Sequence, residues 1–218
     1  MHDATLELRQ ANRAASAAKA PDFTGSVTAY DRLKRIFDIV MAMLLLVIFA
    51  LPMAVIALLI RLSSPGPALY WSNRIGQGDR VFSMPKFRTM KVQCPLIATH
   101  LLSGAANYIT PVGRVLRKTS LDELPQLLSI VKGDISFVGP RPAIYNQDDL
   151  IALRRQKGVH VLVPGLTGWA QINGRDELSI PEKVERDVYY LIHRSFLLDL
   201  QILCRTLPAV LGSRGVDH

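Results

Sequence analysis

A nearly uninterrupted apolar run near the N-terminus constrains this chain more than any other feature. Between Ile36 and Ile60, 25 residues contain a single charge, Asp38. A helix of that length can cross a bilayer. A signal peptide fits poorly, because the run is long, starts well inside the chain and lacks an evident cleavage site of small residues. The other interpretation that the run allows is a buried helix of a soluble core.

Pro52 interrupts the second half of this run, where it removes a backbone hydrogen bond and disturbs the preceding turn, so we expect a kink or a break there. Basic residues flank the run on both sides, which is typical of cytoplasmic flanks. They are Arg32, Lys34 and Arg35 before it, and Arg61, Arg74, Arg80, Lys86, Arg88 and Lys91 after it. The pattern favours a re-entrant membrane helix over residues 30–62 that leaves the membrane on the side where it entered. A kinked spanning helix also accommodates the proline.

The composition of the chain indicates which kinds of partner it can bind. Its 218 residues are 49% hydrophobic and carry a net charge of +8, a combination that suits an anionic membrane surface or a phosphate-rich ligand. No finger or basic-helix motif indicates nucleic acid. Cys94 and Cys204 stand far apart without a histidine at ligand spacing, so neither a disulfide framework nor a zinc site is indicated.

The chain divides into three segments around the apolar run. Residues 1–29 are rich in Ala and small polar residues and are expected to form a mobile tail. Residues 63–218 are long enough for one catalytic domain, expected on the cytoplasmic face. Two β-prone stretches around residues 76–79 predict a β-hairpin. The segment 187–215 has the pattern of an amphipathic helix in the membrane interface, or equally of an ordinary core helix.

Two adjacent carboxylates, Asp122 and Glu123, follow a basic cluster that includes Arg114 and Arg117. They have a structural interpretation, because Ser120 and Glu123 match a capping box and leucines follow at helical spacing. They also have a catalytic interpretation, because a carboxylate stabilised near a helix N-terminus can attack a phosphoryl group. Other acidic doublets in the chain lack a preceding basic cluster, which favours the catalytic interpretation for this pair.

Two later loops have features of ligand-binding segments. Residues 132–142 end in the rigid turn GPRP, which fixes Arg141 where it could bind phosphate. Residues 164–175, PGLTGWAQINGR, form a loop with Gly168 and Trp169 that could approach a flat ligand closely. Trp169 suits the core equally well.

Four segments in this order resemble the motifs of the bacterial sugar transferases, which are small monotopic polyprenol-phosphate phosphoglycosyl transferases. The segments are KFRTM at 86–90, RKTSLDELPQL at 117–127, KGDISFVGPRP at 132–142 and PGLTGWAQINGR at 164–175. The resemblance extends from about Tyr30 to about Leu211. It implies an α+β, mostly helical fold of a monotopic membrane protein, with a proline-broken re-entrant N-terminal helix, a β-hairpin and amphipathic interfacial helices.

The resemblance also implies a reaction. A sugar 1-phosphate is expected to move from a UDP-sugar to undecaprenyl phosphate with Mg²⁺, at the cytoplasmic face of the bacterial inner membrane. This would be the first membrane step in O-antigen, capsule or exopolysaccharide synthesis. The phospholipid membrane is then a partner and nucleic acid is not, and the resemblance leaves open whether the protein acts as a homodimer.

The site residues that the resemblance implies include both members of the acidic pair. Asp122 is the expected nucleophile, and Glu123 is expected to hold Mg²⁺ together with it. Substrate binding is predicted for Arg88, Arg114, Arg117, Arg141, Pro142, Gly168, Trp169 and Arg175.

The chain departs from the family pattern at two places that bear on substrate details. The segment KVQCPLIATHLL, which begins at Lys91, has no acidic residue, and Val163 stands where a basic residue is frequent. Similarity around ATHLL and residues 139–154 favours an N-acetylated amino sugar. Two rival functions remain: a glycosyltransferase that releases UDP, and a membrane-anchored scaffold for polysaccharide machinery, against which the intact acidic pair argues.

Overall fold

The computed structural model describes residues 28–92, 108–174 and 177–211, and this part of the chain is mostly helical, as predicted. Its helices are α1 (Ala29–Ser63), α2 (Pro111–Lys118), α3 (Leu127–Lys132), α4 (Asp148–Gln156), α5 (Trp169–Ile172), α6 (Ile180–His193) and α7 (Phe196–Leu211). Its strands are β1 (Leu69–Ile75), β2 (Val81–Phe87), β3 (Ser136–Val138) and β4 (Gly165–Thr167). Short 3₁₀ helices occupy Gln77–Asp79, Leu121–Gln126 and Val159–Val161. Nearly all of the predicted tail, residues 1–29, lies outside the described residues.

The apolar run forms α1, whose ends lie within one residue of the predicted range 30–62. Thr28 and Asp31 form a reciprocal capping box that fixes the first turn. The helix is continuous through Pro52. Of the two expectations for Pro52, a kink and a break, only a kink is therefore compatible with the structure. A proline removes only its own N–H from the helical hydrogen-bond ladder, so the flanking apolar turns can remain helical.

Both halves of α1 pack against the rest of the protein. Before Pro52, residues such as Phe37 and Leu45 pack on the main core, which includes Ile130 and Phe137. After Pro52, Ile60 forms a smaller cluster with Phe87 and Leu116, and Met53, Ile56 and Ala57 pack against this cluster. Burying one such side chain contributes roughly 1.5–3 kcal/mol. The opposite face of the helix leaves many apolar side chains exposed, including Val47 and Leu51.

Polar contacts also tie the first turns of α1 to the domain. Arg35 donates to two backbone carbonyls at the C-terminal end of α3, at 2.6 and 2.8 Å. The buried Asp38, the single charge of the apolar run, accepts a hydrogen bond from the backbone N–H of Phe137 at 3.2 Å. Lys34 and Asp199 form an ion pair at 2.7 Å. These contacts explain why charges at the start of the apolar run are tolerated.

The predicted β-hairpin is confirmed. β1 pairs with β2 in antiparallel register, with Tyr70 opposite Lys86 and Arg74 opposite Phe82. The connecting 3₁₀ turn contains Gly78 at φ +64° and Asp79 at φ +61°. This turn is held to the domain because the Asp79 carboxylate accepts a hydrogen bond from Arg155 at 2.8 Å. The hairpin thereby presents one face of β2 to the 3₁₀ helix that contains the acidic pair.

The parallel strands β3 and β4 bring the two predicted ligand loops together. Ser136 pairs with Gly165 and Val138 with Thr167. The backbones approach so closely that a Cβ atom at Gly165 would lie 2.1 Å from the backbone N of Gly139. Only glycine fits at position 165, and the turn that carries Arg141 begins at the neighbouring Gly139.

The last two helices complete the core. Ser179 and Glu182 form a capping box at the start of α6. α7 buries Asp199 and Ile202 and exposes the large apolar side chains of Leu197 and Leu200. An interfacial location of this helix in the membrane stays a prediction.

Candidate active site

The acidic pair lies in the 3₁₀ helix Leu121–Gln126, and the predicted capping box is wrong. Ser120 adopts a left-handed backbone conformation with φ +55° and makes no capping hydrogen bond through its side chain. The Glu123 carboxylate is instead bound by two cations. Lys86 Nζ lies 2.8 Å from Glu123 Oε1, and Arg141 Nη2 lies 3.4 Å from the same oxygen. The Glu123 carboxylate is therefore turned towards a basic cluster and not towards the backbone N–H of Ser120, as a capping box would require.

Glu123 is held in its ionised form. Burial raises the pKa of its carboxyl group, but the neighbouring charges of Lys86 and Arg141 outweigh burial and lower the pKa to about 2. Its side chain is 23% exposed, so the ion pairs are partly shielded from solvent. Glu123 is consequently a fixed negative charge at any physiological pH.

The surroundings of Asp122 shift its pKa in the opposite direction. Burial raises the pKa of the Asp122 carboxyl group to about 6, and the adjacent negative charge of Glu123 adds to this effect. Lys86 and Arg117 act in the other direction and limit the shift. A carboxylate with a raised pKa is a stronger base and a better nucleophile than an ordinary aspartate. The surroundings thus give the two neighbouring carboxyl groups different pKa values.

Arg141 is positioned by the backbone around it. Arg154 donates to the carbonyl oxygen of Arg141 at 2.8 Å. Arg154 is itself fixed by two hydrogen bonds to the buried carboxylate of Asp187, at 2.9 and 2.7 Å. Together with the close approach of the Gly165 and Gly139 backbones, these contacts hold the GPRP turn so that the Arg141 guanidinium faces Glu123.

The other predicted arginines have different surroundings. Arg117 is half-buried beside the pair, and its Nε donates to Thr89 Oγ1 at 2.9 Å. Arg114 is exposed on α2. Arg88 is buried and donates to the backbone carbonyls of Ser64 and Pro65, both at 2.8 Å, so it joins β2 to the end of α1. A substrate-binding role for Arg88 stays a prediction, and its observed contacts are those of a structural anchor.

Three of the four remaining predicted residues lie near the paired strands β3 and β4. Pro142 lines a recess together with Glu123, and its carbonyl accepts a hydrogen bond from Arg74 at 3.4 Å. Gly168 packs against the backbone of Gly139. Trp169 packs against the main core and stacks on Tyr189, with ring centroids 5.0 Å apart. Arg175 lies outside the described residues.

Sequence reasoning missed three residues that lie at the pair: Lys86, Arg74 and Gln126. Lys86 belongs to the KFRTM motif, but that motif also offers Arg88, and only the strand register shows which cation reaches Glu123. Arg74 and Gln126 carried no separate motif signal. Alternation along β1 and β2 could have placed Tyr70, Arg74 and Lys86 on one face of the hairpin.

The acidic pair is suited to Mg²⁺ only in part. Mg²⁺ is often held by one or two carboxylates, with water and substrate phosphates completing six oxygen ligands. Asp122 and Glu123 offer such a pair. Within the described residues there is no group of three or more His, Cys, Asp or Glu side chains that could hold a metal ion. The residues therefore fit a Mg²⁺ ion that a diphosphate helps to bind.

Comparison with known proteins defines the class as transferases. The chain is 41% identical over 186 residues to the sugar transferase EpsL of Bacillus subtilis strain 168, a match that covers 85% of this chain and 91% of the relative. It is 39% identical over 191 residues to the UDP-glucose:undecaprenyl-phosphate glucose-1-phosphate transferase of Caulobacter vibrioides, covering 84% of this chain and 71% of the relative.

A third relative is an Aeromonas hydrophila UDP-N-acetylgalactosamine-undecaprenyl-phosphate N-acetylgalactosaminephosphotransferase. It is 35% identical over 193 residues, which cover 85% of this chain and 45% of the relative. A family model described as bacterial sugar transferase matches residues 29–213. This chain therefore belongs to the bacterial sugar transferase family, which confirms the resemblance found in the sequence.

Proposed function

We propose that this protein transfers a sugar 1-phosphate from a UDP-sugar to undecaprenyl phosphate and releases UMP. The observation that carries the proposal is the difference in pKa within the acidic pair: a half-buried Asp122 with a raised pKa lies beside a Glu123 that Lys86 and Arg141 keep ionised. The activities for which the Caulobacter and Aeromonas relatives are named agree with it. The reaction would start polysaccharide synthesis at the membrane.

In the first step, the Asp122 carboxylate attacks the phosphorus that carries the sugar. A bond forms between the carboxylate oxygen and phosphorus, and the bond from that phosphorus to the bridging oxygen of the diphosphate breaks. The bridging oxygen leaves with UMP, and the sugar phosphate remains on Asp122 as an acyl phosphate. With a pKa of about 6, Asp122 is roughly nine-tenths ionised at pH 7 and needs no separate base.

In the second step, a phosphate oxygen of the undecaprenyl phosphate attacks the same phosphorus. The bond between that phosphorus and the Asp122 carboxylate oxygen breaks, which restores the carboxylate and leaves the sugar on a lipid diphosphate. Two steps suit two poorly miscible substrates, because each can react with Asp122 in turn. Lys86 and Arg141 lie where they can balance the negative charge that the diphosphate brings to Glu123. Mg²⁺, when bound with the substrate, would offset the charge of the diphosphate and of the departing UMP.

The membrane is the expected location of the lipid substrate. α1 is long and apolar enough to cross a bilayer, with a mean hydropathy of 3.1 over its most apolar window, of which only 11% is buried. Both of its ends contact the domain that contains the acidic pair. We propose that α1 is re-entrant, so that the protein is monotopic and its active site lies on the cytoplasmic face of the bacterial inner membrane.

The identity of the sugar stays a prediction. The relatives named above use UDP-glucose in one case and UDP-N-acetylgalactosamine in the other, at similar identity to this chain. The N-acetylated amino sugar favoured by the sequence is therefore tested with a panel of UDP-sugars that includes both types. Release of UMP identifies the substrate.

The mechanism is tested by omitting the lipid. With UDP-sugar and Mg²⁺ alone, the protein should release at most one UMP per active site and gain the mass of a sugar phosphate on the peptide that contains Asp122. Adding undecaprenyl phosphate should remove this adduct. Accumulation of UDP would show a glycosyltransferase instead, and the absence of any adduct under conditions that support turnover would exclude Asp122 as the nucleophile.

A further inference from the structure

Two residues of α1 contact the elements that carry the two halves of the Glu123–Arg141 ion pair. Arg35 and Asp38 are three positions apart, so they lie on one face of the helix, about one turn from each other. Neither residue belongs to the acidic pair, and the two-step mechanism gives neither of them a task. Their partners, however, adjoin the candidate active site on both sides.

Arg35 holds the C-terminal end of α3. Its Nη1 and Nη2 donate to the carbonyl oxygens of Ile130 and Val131, at 2.6 and 2.8 Å. These carbonyls belong to the last turn, which lacks acceptor partners within its own helix, and a guanidinium there also interacts favourably with the helix dipole. α3 follows the 3₁₀ helix Leu121–Gln126 without a break. Arg35 therefore fixes the helical unit that begins with the acidic pair.

Asp38 holds β3. Its Oδ1 accepts a hydrogen bond from the backbone N–H of Phe137 at 3.2 Å, and its carboxylate also interacts with the side chain of Ser136. Asp38 is only 3% exposed and Ser136 only 2%, so loss of this acceptor would leave a buried N–H without a partner. β3 ends at Val138, and the GPRP turn with Arg141 follows at once. Asp38 therefore fixes the strand from which this turn starts.

The segment that α1 holds in this way is short, and its two ends meet. Only residues 133–135 separate α3 from β3. α1 thus contacts the middle of the segment 122–141, whose ends meet where Arg141 Nη2 lies 3.4 Å from Glu123 Oε1. That distance is near the limit for a hydrogen bond, so a shift of about half an ångström in either element would break the contact.

We propose that Arg35 and Asp38 are positioning residues of the transfer reaction, which act through α3 and β3 to place Glu123 relative to Arg141. This role rests on the proposed function and adds to it. α1 then determines part of the geometry of the candidate active site, besides attaching the protein to the membrane.

The first experiment measures kcat for the full chain in lipid nanodiscs. The substrates are undecaprenyl phosphate and the UDP-sugar that the panel identifies, with Mg²⁺, and the released UMP and UDP are counted together. Asp38→Leu keeps the approximate size of the side chain but removes the acceptor, and should lower kcat roughly ten- to a hundred-fold in protein that thermal unfolding shows to be folded. Asp38→Asn keeps an acceptor oxygen for the Phe137 N–H and should restore kcat to within about three-fold of the parent. Asp31→Asn is the matched control: it removes an ion pair that joins α1 to Arg194 and to neither α3 nor β3, and should leave kcat unchanged.

A double-mutant cycle separates positioning from a general loss of structure. Asp38→Leu is also made in a chain that already carries Arg141→Gln. If Asp38 acts through the placement of Arg141, the second substitution should lower the remaining rate by no more than about two-fold. An equal loss in both backgrounds, or a folded Asp38→Leu protein with the kcat of the parent, would overturn the proposal.

Hydrogen exchange tests the structural part of the proposal without any reaction. Asp38→Leu should speed exchange of the Gly139 amide, which donates to the Thr167 carbonyl at 2.8 Å, by roughly ten-fold or more. Arg35→Met, a second variant that leaves β3 untouched, should do the same for the amides of residues 121–127. Unchanged exchange at both places in folded variants would overturn the proposal. Release of UDP instead of UMP would refute the proposed function, but the comparisons of kcat and of exchange would still decide whether Arg35 and Asp38 position the site.

Discussion

At the scale of single residues, the candidate active site combines two neighbouring carboxyl groups with different pKa values. Asp122 and Glu123 are adjacent in the sequence, yet one has a pKa of about 6 and the other a pKa of about 2. The difference arises because Lys86 and Arg141 contact the Glu123 oxygen directly, whereas burial dominates at Asp122. The pair was recognisable in the sequence, but the contrast was not, because it depends on a lysine 37 positions away that only the fold brings close.

The raised pKa of Asp122 predicts a trade between stability and activity. A carboxyl group whose pKa is higher in the folded state favours folding while it is protonated, and this contribution is lost as the pH rises from its ordinary pKa of 3.8 through about 6. Asp122→Asn should therefore raise the free energy of unfolding by about 1–3 kcal/mol at pH 7, with the gain vanishing below about pH 4. The same variant should lose nearly all UMP release, because the substitution removes the nucleophile.

Thermal unfolding across this pH range, with UMP release measured on the same preparations, checks both parts. Asp148→Asn is a matched control, since Asp148 belongs to another acidic doublet and is exposed in the first turn of α4. It should keep its activity and lose at most about 1 kcal/mol. Well-folded Asp122→Asn protein with substantial activity would contradict the proposed mechanism.

The pKa of Asp122 also predicts how the reaction depends on pH. In a single turnover without lipid, the rate of UMP release should rise about ten-fold per pH unit below pH 6 and become level above it, because only the ionised carboxylate attacks. Lys86→Met should move this change to higher pH, since Lys86 is the strongest of the influences that lower the pKa of Asp122. A rate that is constant from pH 5 to pH 7 in the unmodified protein would show that another group, or no titrating group, limits the first step.

At the scale of elements, the strong local signals were predictable and the irregular ones were not. The long apolar helix and the hairpin follow from hydrophobic length and turn residues, and both appear as expected. The helix start at Ser120 does not, because this residue takes a left-handed conformation and the following turn is a 3₁₀ helix that contains Pro125. A capping box is only a local pattern, and here the ion pairs of Glu123 override it.

The close pairing of β3 and β4 predicts that Gly165 is sensitive to substitution. Gly165→Ala would place a methyl group 2.1 Å from the backbone N of Gly139, so the strands must separate, and the turn that carries Arg141 must move with them. We expect a loss of roughly 2–4 kcal/mol in the free energy of unfolding and a strong loss of UMP release. Gly78→Ala is the matched control: its surroundings are open, and only its φ of +64° opposes the change, at a cost of about 1 kcal/mol. Equal effects of the two substitutions would contradict the claim that the close backbone approach at Gly165 excludes a side chain.

At the scale of the whole molecule, the contacts of α1 bear on the proposed location of the protein at the membrane. A straight helix of 35 residues would be about 52 Å long, more than the roughly 30 Å hydrocarbon thickness of a bilayer. If it spanned the membrane, its two ends would lie on opposite sides. Instead, Arg35 near one end binds α3, and the backbone at Ser64 beyond the other end binds Arg88 of the same domain. Both ends of α1 are thus attached to the body that contains Asp122.

This arrangement predicts that both ends of α1 face the cytoplasm. Single cysteines introduced by Thr28→Cys or Ser64→Cys, after the native cysteines have been replaced by serine, should both resist a membrane-impermeant thiol reagent added outside intact cells and react after lysis. In Pro52→Leu the protection of Thr28→Cys should persist, because the tail could cross the membrane only by breaking the buried ion pair of Lys34 with Asp199 and the hydrogen bond of Asp38 to the backbone of Phe137. Labelling of Thr28→Cys but not of Ser64→Cys in intact cells would show a spanning helix, and would place the contacts of Lys34 and Asp38 on the wrong side of the membrane.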